Sequence, residues 1–153
     1  GGSYSHGVIA NGFLYTCGMG PIDPATGKVV EGDITVQTRQ VLKNLEAILK
    51  TKGATFAQVV KVTTHLQELH RDFAGYDQAY REFLSAPFPV RTTVGSDLMN
   101  ILVEIDFVVA PEGWQPNLAE QDNIREEILS KMKPISLKKW LNVAFTNDRK
   151  WAV

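Results

Sequence analysis

Two residues stand where folding alone does not account for them. Arg91 opens the β-branched segment Arg91-Thr92-Thr93-Val94 directly after Pro87-Phe88-Pro89-Val90, and Glu104 interrupts the apolar run 101–109. Alternation along a strand sets Glu104, Asp106 and Val108 on one side. With a valine among the acids, that side is not simply the polar one. A guanidinium near a strand carboxylate has two readings that spacing does not separate. One is a structural ion pair; the other is a clamp for a substrate carboxylate beside an acid/base group. The remaining candidates say less. His6, His65 and His70 form no His-x-x-x-His pair and have no acidic cluster, so they read as ordinary surface or half-buried histidines rather than metal ligands. Cys17 lies between Thr16 and Gly18 on an apolar strand with no basic neighbour to lower its pKa, and reads as a buried structural thiol. Gly18-Met19-Gly20 lacks the length and the following helix of a phosphate loop. No segment resembles a serine nucleophile elbow or a metalloprotease helix.

The elements that must position Arg91 and Glu104 follow from the periodicity. Val8-Ile9-Ala10-Asn11-Gly12-Phe13-Leu14-Tyr15 predicts a β-hairpin, because Asn-Gly between apolar runs supplies both positive φ angles of a type I′ turn. Gly18, Gly20 and Pro21 end the second strand, and Asp23-Pro24, Gly27 and Gly32 predict a turn-rich loop over 21–33. The period then changes. Val36, Val41, Leu45, Ile48 and Leu49 fall mostly on one helical face, with Asp33 as N-cap and Gly53 just past the end. Val59-Val60-Lys61-Val62-Thr63-Thr64-His65-Leu66 predicts a strand. Phe73, Tyr76, Ala79, Tyr80, Phe83 and Leu84 mark a second amphipathic helix that stops before Pro87, and strands follow at 91–94 and 101–109. The order is ββαβαββ, an α+β domain with helices covering one face of a mixed sheet.

The chain has 153 residues, 44% of them hydrophobic, enough for a real core. Sixteen basic and seventeen acidic residues give a net charge of −1. That balance speaks against holding nucleic acid or anionic membrane by bulk charge. A single cysteine excludes an internal disulfide framework and a multi-cysteine metal site. No run approaches the about 18 apolar residues of a membrane span. The start, Gly1-Gly2-Ser3-Tyr4, shows neither an initiator Met nor a signal peptide, so a processed or trimmed end and a cytoplasmic location are expected. After Pro111-Glu112-Gly113 the texture shifts. Ile124, Ile128, Leu129 and Met132 suggest a helix broken at Pro134, and Leu137, Trp140, Leu141, Ala144 and Phe145 suggest another, capped by Ser136. Residues 131–153 hold five Lys and one Arg against one acid. The domain reading is therefore a core over 1–111 and a helical C-terminal extension over 112–153.

Several blocks are recognisable together: Tyr4-Ser5-His6-Gly7, Thr16-Cys17-Gly18, Pro21-Ile22-Asp23-Pro24-x-Thr26-Gly27, Gly32-Asp33-Ile34, Gln37-Thr38-Arg39-Gln40-Val41-Leu42-x-Asn44-Leu45, Val60-Lys61-Val62-Thr63, Pro89-Val90-Arg91-Thr92-Thr93-Val94-Gly95 and Leu102-Val103-Glu104-Ile105-Asp106. In order and spacing they resemble the Rid (RidA/YjgF) family over residues 3–110. The resemblance implies a chorismate-mutase-like α+β fold and a homotrimer with active sites in the clefts between subunits. It also implies hydrolysis of reactive enamines and imines, such as 2-aminoacrylate, to 2-oxo acids and ammonia without a cofactor or metal. Carried over by position, Arg91 matches the arginine that binds the substrate carboxylate, and Glu104 the glutamate that orients or activates water. Tyr4 matches a cleft-lining tyrosine, and Gly18 and Thr93 match positions that contact the ligand; Cys17, in the same block as Gly18, is placed with them. The expected partner is a small molecule bearing a carboxylate, with no nucleic acid and no membrane.

Three departures bear on the substrate. Met19 stands where the family commonly has a polar glutamine. The segment Gly95-Ser96-Asp97-Leu98-Met99-Asn100 is shorter than the common family loop and lacks its Leu-Pro. Residues 112–153 have no counterpart in short members. Two alternatives therefore accompany the general deaminase. One is a member recruited to a dedicated pathway for a specific deamination, tautomerisation or condensation. The other is a non-enzymatic trimer that binds a ligand or partner.

Overall fold

The structure is a computed structural model that describes residues 2–131. The chain divides into two units, Gly1–Pro116 and Asn117–Val153. In the first, strands β1 (Gly7–Ala10) and β2 (Phe13–Thr16) form the expected hairpin, with Asn11 at φ 49° and Gly12 at φ 81°. Both angles lie in the left-handed region that the type I′ turn requires. The segment read as a loop contains a small ribbon instead, β3 (Ile22–Asp23) against β4 (Lys28–Val29). Asp23 closes it: the carboxylate accepts from the Ala25 N–H at 2.9 Å and the carbonyl accepts from the Gly27 N–H at 2.8 Å. Turn residues can close a hairpin as well as end a strand, and such short strands carry too little alternation to be seen.

Helix α1 (Ile34–Lys50) begins at Asp33, whose side chain accepts from the Val36 N–H at 3.0 Å. Such a cap contributes about 1 kcal/mol. The buried face is Ile34, Gln37, Thr38, Val41, Leu42, Leu45 and Leu49, whereas Val36, placed on that face by periodicity, is 40% exposed. A polar residue lies on the inner stripe because loops run beneath it. Gln37 accepts from the Leu102 N–H at 2.9 Å and donates to the Val30 carbonyl at 3.3 Å. A 3-10 turn (Phe56–Gln58) leads into β5 (Val59–Leu66), followed by α2 (Leu69–Tyr80), β6 (Val90–Gly95) and β7 (Val103–Val109). Helix α2 ends at Tyr80, earlier than its apolar period, and Leu84 is buried beyond it.

The main sheet has the order β1-β2-β7-β5-β6, with β5 and β6 parallel and the other pairs antiparallel. It is mixed, as the order of elements predicts. Val103, Ile105, Phe107 and Val109 of β7 lie in one buried layer with Val59, Val62 and Leu66 of β5, Tyr76 and Tyr80 of α2, and Val41, Leu42, Leu45 and Leu49 of α1. Both helices therefore cover the same face. The other face of the sheet, called the open face below, carries Glu104, Asp106 and Val108. In the second unit, α3 (Leu118–Lys131) has no buried residue. The second C-terminal helix, the break at Pro134 and, apart from Lys131, the basic run lie outside the described residues. Among the described residues no helix is long and apolar enough to cross a membrane.

Candidate active site

Strand pairing decides which way each candidate points. Arg91 pairs with Val62, a wholly buried residue of the helix-covered face. Glu104 pairs with His65, three residues along β5 from Val62, and an odd offset puts it on the other face. Directly paired residues project to the same side of a sheet. Arg91 and Glu104 of one chain therefore occupy opposite faces, and the ion pair left open by the sequence does not form between them.

Arg91 instead meets α2. Its Nη1 donates to Asp77 Oδ1 at 2.8 Å, and its guanidinium lies over the rings of Tyr80, Tyr76 and Phe73, at 4.7, 5.4 and 5.7 Å from their centroids. Partly desolvated cation–π contacts contribute on the order of 0.5–2 kcal/mol each, so three rings and a carboxylate fix the side chain in place. Asp77 is shared: Arg81 Nε donates to its Oδ2 at 2.7 Å. Burial pushes the Asp77 carboxyl up, but hydrogen bonds from Arg81 and Arg91, with their charges, outweigh it and hold it below the ordinary carboxylate range. Burial also works against the Arg91 charge, and Tyr76 and Asp77 outweigh it, so the guanidinium stays protonated. The cage is itself tied down. The Tyr76 and Thr64 hydroxyls are hydrogen-bonded at 2.7 Å, and Thr93, on the same face as Arg91, also bonds Tyr76. Tyr80 is buried, and its hydroxyl has no hydrogen-bond partner among the described residues.

Glu104 belongs to a second cluster on the open face. After β2 the chain runs alongside β7, where Met19 and Ile105 exchange backbone hydrogen bonds at 2.9 and 3.2 Å. This brings Gly18 onto the Glu104 side chain so closely that a Cβ at 18 would lie 2.3 Å from Glu104 Oε1. Any side chain at 18 would therefore displace the Glu104 carboxyl group. Cys17 is half-buried, and its sulfur lies 3.6 Å from that of Met19. Burial pushes its thiol up, and Glu104 and Asp106 push it further, so at neutral pH it is a thiol and not a nucleophilic thiolate. Asp106 is also pushed up by burial, offset in part by a hydrogen bond from Thr63 and by His65 and Lys61. Tyr4 is 61% exposed with its ring against that of His6; no ion, hydrogen-bond or ring contact joins it to Arg91 or Glu104 among the described residues.

The candidates thus fall into two sets: Glu104, Gly18 and Cys17 on the open face, Arg91 and Thr93 on the helix side. Two contributors were not assigned to the site from the sequence, which reads His65 as an ordinary histidine and leaves Asp77 unmarked. His65 stands across from Glu104 and bonds Ser96 Oγ through Nδ1 at 2.6 Å. Asp77 sits on the stripe of Phe73, Tyr76 and Tyr80, and a carboxylate on an apolar stripe signals a buried cationic partner. Among the described residues no three of His, Cys, Asp or Glu converge as metal ligands.

The family model described as Endoribonuclease L-PSP matches residues 1–111. A RutC family protein of Pyrococcus horikoshii is 40% identical over 113 residues, 72% of this chain and 89% of the relative. The chloroplastic Reactive Intermediate Deaminase A of Arabidopsis thaliana is 38% identical, over 70% of this chain and 58% of its own length. A solved Rid-family protein from Yersinia pestis superposes with a TM-score of 0.68 at 38% identity, covering 71% of this chain and 88% of that one. With its mixed sheet, its two helices on one face and these matches over the same residues, the chain belongs to the Rid (YjgF) family.

Proposed function

We propose that this chain is a cytoplasmic hydrolytic deaminase of reactive 2-enamine and 2-imine intermediates of amino-acid metabolism, working as a homotrimer without a cofactor. The observation that carries the reading is the opposition of Arg91 and Glu104 across the sheet. A carboxylate held by one and a water activated by the other can meet the same small substrate only if the two residues come from different copies. The surface suits such an assembly: Val8, Tyr15, Val90 and Val94 are exposed large apolar residues, Val90 at 67% and Tyr15 at 45%. Apolar surface of that kind marks interaction sites.

The chemistry needs few groups. An enamine tautomerises to its imine, which when protonated on nitrogen is already electrophilic. Arg91 of one copy pairs with the substrate carboxylate, and its planar guanidinium fixes orientation as well as position. Glu104 of the neighbouring copy accepts a proton from water as the oxygen attacks the imine carbon. The proton then passes to nitrogen, and the C–N bond breaks with its electron pair leaving on nitrogen. The hydroxyl proton meanwhile returns to Glu104 and passes to the departing ammonia, and the products are a 2-oxo acid and ammonium. One carboxylate thus acts as base and then as acid, and positioning supplies much of the rate. The endoribonuclease description of the family model is less well supported by this chain: residues 1–111 carry eleven acidic against nine basic residues, and a polyanion would meet Glu104 and Asp106 on the open face.

The test is to generate 2-aminoacrylate and 2-iminobutanoate in situ with a PLP-dependent lyase or an amino-acid oxidase and follow imine loss. The wild-type protein accelerates it, Arg91→Ala abolishes the acceleration for carboxylated imines, and Glu104→Gln lowers kcat more than it weakens binding. Wild-type rates in Arg91→Ala would overturn the assignment.

A further inference from the structure

The carboxylate-binding arginine of the proposed site is not electrostatically free. Asp77 Oδ1 accepts from Arg91 Nη1 at 2.8 Å and Asp77 Oδ2 accepts from Arg81 Nε at 2.7 Å. One carboxylate therefore bridges two guanidinium groups. The Arg91 and Asp77 side chains are mostly buried, whereas Arg81 is nearly half exposed and lies 5.9 Å from the Phe88 ring centroid. The Phe73, Tyr76 and Tyr80 rings restrict how far Arg91 can swing from Asp77 toward an incoming anion.

We infer that Asp77 is a positioning residue that acts through Arg91: it holds the guanidinium in its aromatic cage and sets how strongly the site attracts a carboxylate, with Arg81 as counterweight. This deepens the deaminase reading and rests on it for the identity of the bound anion. Arg91 is thus one member of a cluster of three charges, two positive and one negative. A ligand carboxylate gains its attraction to Arg91 against the repulsion of Asp77, in a setting of reduced dielectric where both are felt strongly. The imine and the 2-oxo acid product carry the same carboxylate, so Asp77 moderates the hold on both.

Two substitutions move the balance in opposite directions. Asp77→Asn keeps an acceptor oxygen for Arg91 and removes the negative charge. Arg81→Gln, at an exposed position, leaves the whole Asp77 charge on Arg91. Binding of 2-oxobutanoate is measured directly by calorimetry or ligand-observed NMR, with imine turnover alongside. Asp77→Asn tightens 2-oxobutanoate on the order of ten-fold and lowers KM for the imine more than it changes kcat. Arg81→Gln weakens both, and Arg91→Ala abolishes binding. A tightening is an effect that loss of folding cannot produce. Unchanged affinity in both variants, or no binding in any variant, overturns the inference. Tightening in Asp77→Asn with no imine turnover by the wild type sustains it and refutes the deaminase reading instead.

Discussion

Gly18→Ala separates the placement of Glu104 from its chemistry. The Cβ of an alanine at 18 would stand 2.3 Å from Glu104 Oε1, 2.6 Å from Cδ and 2.9 Å from Cγ. Ordinary contact between such atoms begins at about 3.5 Å, so the carboxyl group must retreat by about 1 Å. The retreat costs the fold little, because the atoms that give way are the end of one flexible side chain. The φ of Gly18 also lies outside the left-handed region, so alanine brings no backbone strain. Its price falls on catalysis: displacing a reacting group by about 1 Å costs on the order of 100-fold in rate, or about 2.7 kcal/mol in the barrier.

The assay is imine loss in Gly18→Ala, Glu104→Gln and the double variant, with the melting temperature of each. The single glycine variant keeps its thermal stability, binds 2-oxobutanoate as the wild type does through Arg91, and loses about 100-fold in kcat. Because the alanine acts by moving Glu104, adding Glu104→Gln costs nothing like a second full loss; the two effects are strongly non-additive. A wild-type kcat in Gly18→Ala would refute the placement of Glu104 at the reacting water. Full additivity would show that Gly18 acts through something other than Glu104.

Two further predictions concern stability. Asp33→Ala removes the side-chain acceptor of the Val36 N–H and a hydrogen bond with Thr35, and should cost about 1 kcal/mol in denaturant unfolding with no change in the site; an unchanged midpoint would refute the cap. Asp106→Asn tests the pH dependence of the open face. Burial raises the Asp106 carboxyl above its ordinary value, so the folded state favours the protonated form and its contribution is lost as pH rises through the folded value. The asparagine variant should gain stability at pH 7 and not below pH about 3, the ordinary carboxylate being nearly protonated there; an equal gain at both pH values would refute the titration argument.

Local chemistry made most of the elements legible. Asn11-Gly12 specifies the hairpin, Asp33 the start of α1, and the β-branched run 59–66 the central strand, each because one residue type suits a particular backbone geometry. The β3–β4 ribbon escaped because strands of two residues carry no period. Val36 was placed inside because hydrophobicity was its only mark, whereas the buried stripe uses Gln37 to satisfy the loop N–H of Leu102. Only in the second case does the pairing reach across distant segments, through the Gln37 side chain.

The relation between Arg91 and Glu104 illustrates a deeper limit. Alternation assigns each strand two faces, and it correctly grouped Glu104 with Asp106 and Val108. It says nothing of how the faces of one strand match those of another. That phase is set by pairing: Val62 with Arg91 on one side of β5, and His65 with Glu104 on the other. A shift of one residue in either register would have put the guanidinium and the carboxylate on the same face. As built, the register sends Arg91 into a cage of its own helix and Glu104 onto the open face beside Gly18. The opposition has a functional consequence under the proposed mechanism: a site that needs both groups cannot close on itself within one chain. The two halves would meet only across an interface, where Asp77 governs the charge that one copy presents and Gly18 the carboxylate position that the other provides.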